Sequence, residues 1–496
     1  RRRQHPLHHP AAAPRIKSNK VGNCVNNCGA AADRPAPPER KRRILKVEDN
    51  KKVSLIKTVL FTVCSILVLD SFVAPAIIGV SSITIWIVTA IIFFIPYGLL
   101  SAELGSTYPD DGGIVSWVDR AFGEYPSVLV GWMYWVNVAF WMPAVFTAFS
   151  GWLTLAIFPD MSTVVQAIIA VAMCWVIVWI GVRGIELSVL VSSIMAIIKM
   201  AILVIFGFMG IAYGIKYGLA NDFSLPNWIP TWDNTVTYVA AIVYNLLGFE
   251  LIGSIGSKIE DPKHTVPKMT IIAGAAITFL YAFGTFGVLA AIPAADVDEV
   301  DGFVYALKEL CTVFGPAQMP VFYVLVVLAI LTLVANMITW AMGANESFMG
   351  AQLDKRVKFF GHRSKKYGTA DNLYYLMGGI ASVLIILNYS LSGDANDIFW
   401  TLFSFSSIVF MLNYLFMFPA ALKLKYTDNT PRQYAVPGGK AGMWVCSVLC
   451  FACVALACYF LVDWDVTGYA FWMQLIGVIL VVISGTWIYR AGKKKS

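Results

Sequence analysis

Residues 66–79 read ILVLDSFVAPAIIG, an apolar run that a hydropathy window assigns to a membrane span, interrupted by a carboxylate at Asp70 and a proline at Pro75. A charged side chain at mid-bilayer depth costs about 2.5 to 3.5 kcal/mol on insertion scales, and a proline inside a helix removes a backbone bond that lipid cannot replace. A segment carrying both is expected to be a broken helix whose polar groups face something other than lipid.

The composition around that stretch is that of a membrane chain. Of 496 residues, 58% are hydrophobic and 14% charged, with mean hydropathy +0.69, well outside the soluble globular range. A bilayer core is crossed by about 20 apolar residues. Windows of that kind fall at about 58–80, 83–107, 124–156, 162–181, 187–213, 235–257, 269–292, 317–348, 372–390, 396–422, 442–462 and 467–490. All are read as helices, because lipid leaves such segments no other way to satisfy their backbone. The windows 124–156 and 317–348 are longer than a bilayer requires, which predicts tilt or an interfacial extension.

The net charge of +7 does not point to nucleic acid, because the basic residues are neither interleaved with stacking aromatics nor gathered on one domain. They mark alternate loops instead. Lys and Arg crowd the segment before the first span (Arg40 to Arg43, Lys46, Lys51, Lys52, Lys57), then Arg120, Arg183 and the stretches 258–268, 355–366, 423–440 and 493–495. The intervening loops carry Asp160, Asp222, Asp233, the acids of 296–301, Asp394, Asp397, Asp463 and Asp465. The positive-inside rule then places both termini in the cytoplasm and makes the number of spans even, with twelve fitting the windows.

Most of the nine cysteines (Cys64, Cys174, Cys446, Cys450, Cys453 and Cys458 among them) sit inside spans as small apolar residues, so no disulfide framework is implied. Cys24 and Cys28, with His5, His8 and His9, have poor metal-site spacing in a Pro/Ala/Arg-rich segment. Residues 1–52 are expected to be a disordered cytoplasmic tail without a signal peptide. No metal or cofactor is expected.

A second stretch, 238–268, reads YVAAIVYNLLGFELIGSIGSKIEDPKHTVPK. It too is apolar, is interrupted by glycines near its middle, and carries one acid at the break, Glu250. Interrupted spans at corresponding places in two halves are the sequence mark of an inverted-repeat transporter that holds its substrate at the midplane. Each break frees N–H groups and a positive helix end suited to a carboxylate, and carbonyls suited to an ammonium or a metal ion. The predicted fold is all-α, a polytopic membrane protein of about twelve helices with a 5+5 inverted repeat and broken helices 1 and 6. Its core covers 53–430, and 431–496 adds two further helices and a basic tail.

Several motifs carry a resemblance. FIPYGLLSAELGSTYPDDGGIVSWVDRAFGEYPSVLVGWMYW (94–135) and GFELIGSIGSKIEDPKHTVPK (248–268) resemble signatures of the amino acid–polyamine–organocation superfamily. YGTADNLYYLMGG (367–379) and PRQYAVPGGKAGMW (431–444) are similar to its glutamate:GABA antiporter branch. The resemblance spans about residues 53–490 and implies a secondary active transporter of an amino acid or related amine or polyamine, working by alternating access in the plasma membrane. Exchange is the implied mode, with proton symport as the alternative.

Asp70 either caps the freed N–H groups of its own broken helix or offers a counter-charge to an amine. An acid at this place departs from the superfamily pattern and favours a cationic ligand over glutamate. Ser71, Phe72, Val73 and Ala74 beside it, with Tyr244, Asn245 and Gly248 of the sixth span, are the expected substrate-binding residues. The resemblance makes Tyr244 a lid on bound substrate, with plain packing as the alternative. Glu250, an acid in low dielectric, gains or loses a proton as the site opens, and the resemblance to arginine:agmatine exchangers couples such an acid to pH. Lys199 lies deep inside a hydrophobic window and must pair with carbonyls or an acid, or lose its proton. Sodium-independent members of the superfamily are similar in placing a lysine where a sodium ion would sit, which implies no sodium requirement. Arg120 and Glu260, in loops at the basic end, and Trp141 are the expected gating residues.

An enzyme is disfavoured, since beyond the tail only His264 and His362 occur and both fall in loops. A channel would need a repeated filter or pore-lining rings, and none is evident. The expected partners are a small-molecule amine or amino acid, the bilayer and a proton, with a monomer or homodimer both compatible with the sequence.

Overall fold

The computed structural model describes residues 52–69, 71–298, 301–391 and 395–493. The assignments made for Asp70, for the tail preceding residue 52 and for the last three residues lie outside the described residues.

Both expected breaks are present. The first span begins as the helix Leu55–Ile66, turns extended at Leu67 (ψ 107°), and resumes as a 3-10 segment, Ala74–Ile78, that ends at Gly79. Pro75 sits in the first turn of that segment, where its missing N–H would have had no helical partner. The sixth span runs Trp232–Asn245, breaks at Gly248, and continues as the 3-10 segment Phe249–Lys258. Gly248 has φ 133°, a conformation open to glycine and strained for other residues, and a Cβ there would lie 2.9 Å from Ile66 Cγ1. The two breaks therefore face each other across a gap that only a glycine fits.

The other spans are Ser81–Thr107, Glu124–Ala156, Thr163–Val182, Ile185–Tyr217, Pro262–Ala291, Gln318–Gly350, Asp371–Leu391, Ala395–Thr427, Gly439–Leu461 and Tyr469–Lys493. Among the described residues, 11 segments are long and apolar enough to cross a membrane, and the shorter helix Leu55–Ile66 opens the remaining, broken span. A π turn, Ala90–Phe94, widens the second span just before Pro96, where the proline ring would collide with the carbonyl four residues back. The third and eighth spans are 33 residues each, about 50 Å at 1.5 Å per residue, against a core of about 30 Å.

Two helices occupy stretches read as loops, Ile114–Phe122 and Gly302–Leu310. Both are too short to register as spans. Each buries one stripe, Ile114, Val115, Trp117, Val118 and Ala121 in the first, Phe303, Val304, Ala306, Leu307 and Leu310 in the second, the 3.6-residue spacing of an amphipathic helix lying on the bundle.

The sixth span is the central one: 83% of its apolar window is buried, against 28% and 22% for the eleventh and twelfth. Its far end is stitched to the start of the first span by a parallel bridge, in which the Val53 amide donates to Lys258 O at 2.8 Å and the Glu260 amide to Val53 O at 2.9 Å.

Candidate functional site

A helix that stops inside a membrane leaves its last carbonyls without partners. Here residues 64–67 each receive a side-chain donor. Lys199 Nζ donates to Cys64 O at 3.1 Å and to Leu67 O, and also meets Asn336 Oδ1 at 3.4 Å. Trp340 Nε1 donates to Ser65 O at 2.9 Å. The Tyr281 hydroxyl donates to Ile66 O at 2.6 Å and accepts the Val68 amide at 2.9 Å. A fully buried ammonium beside a helix C-terminus sits where the helix dipole is negative, so the Lys199 charge and the broken helix stabilise each other.

The two breaks are also bonded directly. Ser71 Oγ donates to Asn245 Oδ1 at 2.7 Å, and Asn245 Nδ2 donates back to Ser71 O at 3.2 Å. Tyr281 Oη lies 3.3 Å from Asn245 O and so touches both breaks. Two residues beyond Gly248, Glu250 is 1% exposed. Its Oε1 accepts the Tyr134 hydroxyl at 2.7 Å and its Oε2 accepts the Tyr97 hydroxyl. Tyr97 in turn accepts the Gly248 amide at 3.0 Å. Tyr414 packs edge-on against Tyr97 at 5.8 Å, and its buried hydroxyl interacts with Glu250.

An aromatic wall closes the remaining side. Trp141 meets Tyr244 at 6.3 Å and Trp340 at 5.8 Å, Tyr244 meets Phe403 at 5.2 Å and Phe410 at 5.8 Å, and Trp340 meets Phe410 at 5.2 Å, all edge to face. These rings come from the third, sixth, eighth and tenth spans. Such edge-to-face clusters hold ring faces at fixed angles, where a cation is attracted by the quadrupole.

Of the residues expected at the site, Ser71, Tyr244, Asn245 and Gly248 come together at the breaks. Phe72 and Val73 turn elsewhere: Phe72 packs against Phe206 and Phe303, and Val73 meets Gly302, in the helix Gly302–Leu310. Ala74 is buried in the 3-10 segment. Trp141 stands in the aromatic wall, whereas Arg120 pairs with Asp110 and Glu260 is exposed, both at the basic end of the bundle. The sequence reading missed Tyr97, Tyr134, Tyr281, Asn336, Trp340, Phe410 and Tyr414. They are scattered over five spans, and with 14% of the chain aromatic no spacing singles them out.

At the basic end, the loop after the second span lies against the inner half of the sixth. Asp111 accepts the Ser257 amide at 3.1 Å and its hydroxyl at 2.7 Å, and Lys258 pairs with Glu346 at 3.5 Å. The backbones nearly touch: a Cβ on Gly253 would lie 2.9 Å from Gly113 Cα, and one on Gly112 would lie 2.9 Å from Gly350 Cα.

This frame of broken spans, caged acid and buried lysine has relatives. The amino acid permease family model matches residues 53–483. The chain belongs to the amino acid permease family. This permease is 31% identical over 391 residues to a Lactococcus lactis subsp. lactis protein named "Probable agmatine/putrescine antiporter AguD", covering 78% of this chain and 83% of the relative. It is 23% identical over 435 residues to the "Aspartate/glutamate permease AcaP" of Lactococcus lactis subsp. cremoris, covering 82% of this chain and 87% of the relative. Among solved structures, a manganese transporter of Eremococcus coleocola, in complex with an aromatic bis-isothiourea compound, superposes with TM-score 0.57 at 11% identity, covering 95% of this chain and 99% of that one; the likeness is one of fold. The permease is thus a multi-pass secondary transporter of a small molecule and not an enzyme, as the motifs implied.

Proposed function

We propose that this permease moves a small amine or diamine, of the kind made by decarboxylating an amino acid, and exchanges it for a related solute by alternating access. The observation that carries the reading is the aromatic wall of Trp141, Tyr244, Trp340 and Phe410 standing over two broken helices, in a segment whose sequence supplies Asp70. Ring faces and a carboxylate attract an ammonium, whereas they offer nothing to the side-chain carboxylate of glutamate. The relative named for agmatine and putrescine supports the same choice. Ser71 and Asn245 hold the two breaks in register, Tyr244 and Trp141 cover the bound solute, and Glu250 exchanges a proton as the site opens.

Lys199 supports sodium independence, because its ammonium already fills the carbonyl cluster that a monovalent cation would use. The seam between the loop 109–113 and the inner half of the sixth span serves as the gate at the basic end, with Arg120 bracing that loop through Asp110 and Glu260 anchoring the bridge to Val53. The charge pattern of the loops supports placing that end, and both termini, in the cytoplasm of a cell bounded by its plasma membrane.

Counterflow in proteoliposomes tests the reading. Preloaded agmatine or putrescine should accelerate labelled amine uptake saturably, and replacing external sodium by potassium should leave the rate unchanged. Acceleration by glutamate or aspartate alone would overturn the amine assignment, and a steep sodium dependence would overturn the role given to Lys199.

A further inference from the structure

Where the second, tenth and eleventh spans meet at the basic end, most charges are already matched. Glu103, 2% exposed, accepts Lys425 Nζ on both oxygens, at 2.8 and 3.0 Å, and Arg432 Nε on Oε1 at 3.4 Å. Asp428 accepts the Tyr108 hydroxyl at 2.6 Å, and the amide and hydroxyl of Thr430 at 2.8 and 2.7 Å. Arg120 pairs with Asp110. Lys423 and Lys440 stand outside this matching. Both are exposed, and among the described residues neither has a carboxylate partner.

Each of these two ammonium groups lies over an aromatic ring instead. Lys423 Nζ is 5.0 Å from the centre of the Phe122 ring, and Lys440 Nζ is 4.9 Å from that of Tyr426. Lys423 and Tyr426 are three residues apart at the end of the tenth span and so share a face. Phe122, Lys423, Tyr426 and Lys440 thus form one row drawn from three helices. A ring quadrupole attracts an ammonium but carries no net charge, so both charges of the row stay unneutralised. The row also runs on into the membrane. Lys440 stands in the first turn of the eleventh span, and Trp444, Val448 and Phe451 follow it at steps of four, four and three, along one face of the helix. All three are exposed, on a span with only 28% of its apolar window buried. An indole one turn below a lysine, at the end of a lipid-facing helix, marks the bilayer interface. Unpaired ammoniums capping an apolar stripe match a molecule with an anionic head and a hydrocarbon tail. A soluble phosphate would use the lysines and leave the stripe bare.

We propose that Lys423 and Lys440 hold the headgroup of an anionic phospholipid in the leaflet at the basic end, with an acyl chain laid along Trp444, Val448 and Phe451. The test places the full chain in nanodiscs of equal phosphatidylglycerol and phosphatidylcholine with the same acyl chains, and counts the lipids it retains on release by native mass spectrometry. The wild type should retain phosphatidylglycerol over phosphatidylcholine by about 30-fold, the effect of two lysines at an anionic surface. K423Q/K440Q should bring the ratio close to unity, and K423R/K440R should keep it. K365Q/K366Q removes two exposed lysines from the basic loop after the eighth span, one of them also over a ring, Lys366 at 5.1 Å from Tyr367. That pair should leave the ratio at its wild-type value. A wild-type ratio near unity, an unchanged ratio in K423Q/K440Q, or an equal loss in K365Q/K366Q would overturn the site. Displacement of the lipid by glycerol phosphate would overturn it as well, because the occupant would then be a soluble anion. If thermal unfolding shows K423Q/K440Q to be misfolded, K440Q alone decides: its ratio should fall by about five-fold, and an unchanged ratio overturns the proposal.

Discussion

At the residue scale the molecule turns on an acid held deep in the bundle. Glu250 is hydrogen-bonded by two phenols and lies one residue past Phe249, at the start of the 3-10 half of the sixth span. A proton added to it breaks the match with two hydroxyl donors, so its protonation is linked to the packing of Tyr97 and Tyr134. Glu250→Gln should therefore flatten the dependence of exchange on pH, with putrescine binding retained to within a few-fold; a pH profile in proteoliposomes with the shape of the wild type would defeat the role. A second titration belongs to the acidic end. Burial, followed by the neighbouring Asp298 charge, pushes the Asp301 carboxyl from 3.8 up to about 6. A raised folded-state value means that the contribution of Asp301 to stability is complete below pH 3.8 and is lost as pH rises through about 6. Hydrogen exchange of the helix Gly302–Leu310 should accordingly quicken from pH 4.5 to 7 beyond the intrinsic rate, and Asp301→Asn should remove that excess.

At the scale of elements, the breaks were legible because two rare things coincide in each, an acid and a helix breaker within an apolar window. The break in the sixth span has the sharper requirement. Gly248→Ala would place a Cβ at φ 133° and within 2.9 Å of Ile66, and strain of this kind costs about 1 to 3 kcal/mol. Exchange should fall by at least ten-fold with a lowered unfolding temperature, while Gly379→Ala, where a Cβ meets nothing within 4 Å, should be silent; equal effects of the two would show that the break is not specially constrained. Lys199 was legible for the same reason as the acids, a charge with no business in lipid, and of the outcomes left open for it the structure shows bonds to the carbonyls of Cys64 and Leu67. The helices Ile114–Phe122 and Gly302–Leu310 were not, because a nine-residue amphipathic stripe is weaker than the hydropathy of the spans around it. The cage around Glu250 was hidden for a different reason. Tyr97, Tyr134 and Tyr414 come from three separate spans, and only the packing of those spans reveals that they share an acid.

At the scale of the whole molecule, the central feature is a pair of severed helices whose loose ends are satisfied by neighbouring spans and by each other. Four carbonyls of the first span lean on Lys199, Trp340 and Tyr281, and the sixth span is joined to the first through Ser71 and Asn245. Those bonds hold the breaks open and polar in the middle of an apolar bundle, with the aromatic wall as the facing surface. The most direct measurement is a structure of the purified permease with bound agmatine or putrescine. The account predicts ligand density bounded by the breaks at 67–71 and 245–248 and by Trp141, Tyr244, Trp340 and Phe410. Density lodged elsewhere, or a first and sixth span that run as unbroken helices, would contradict it.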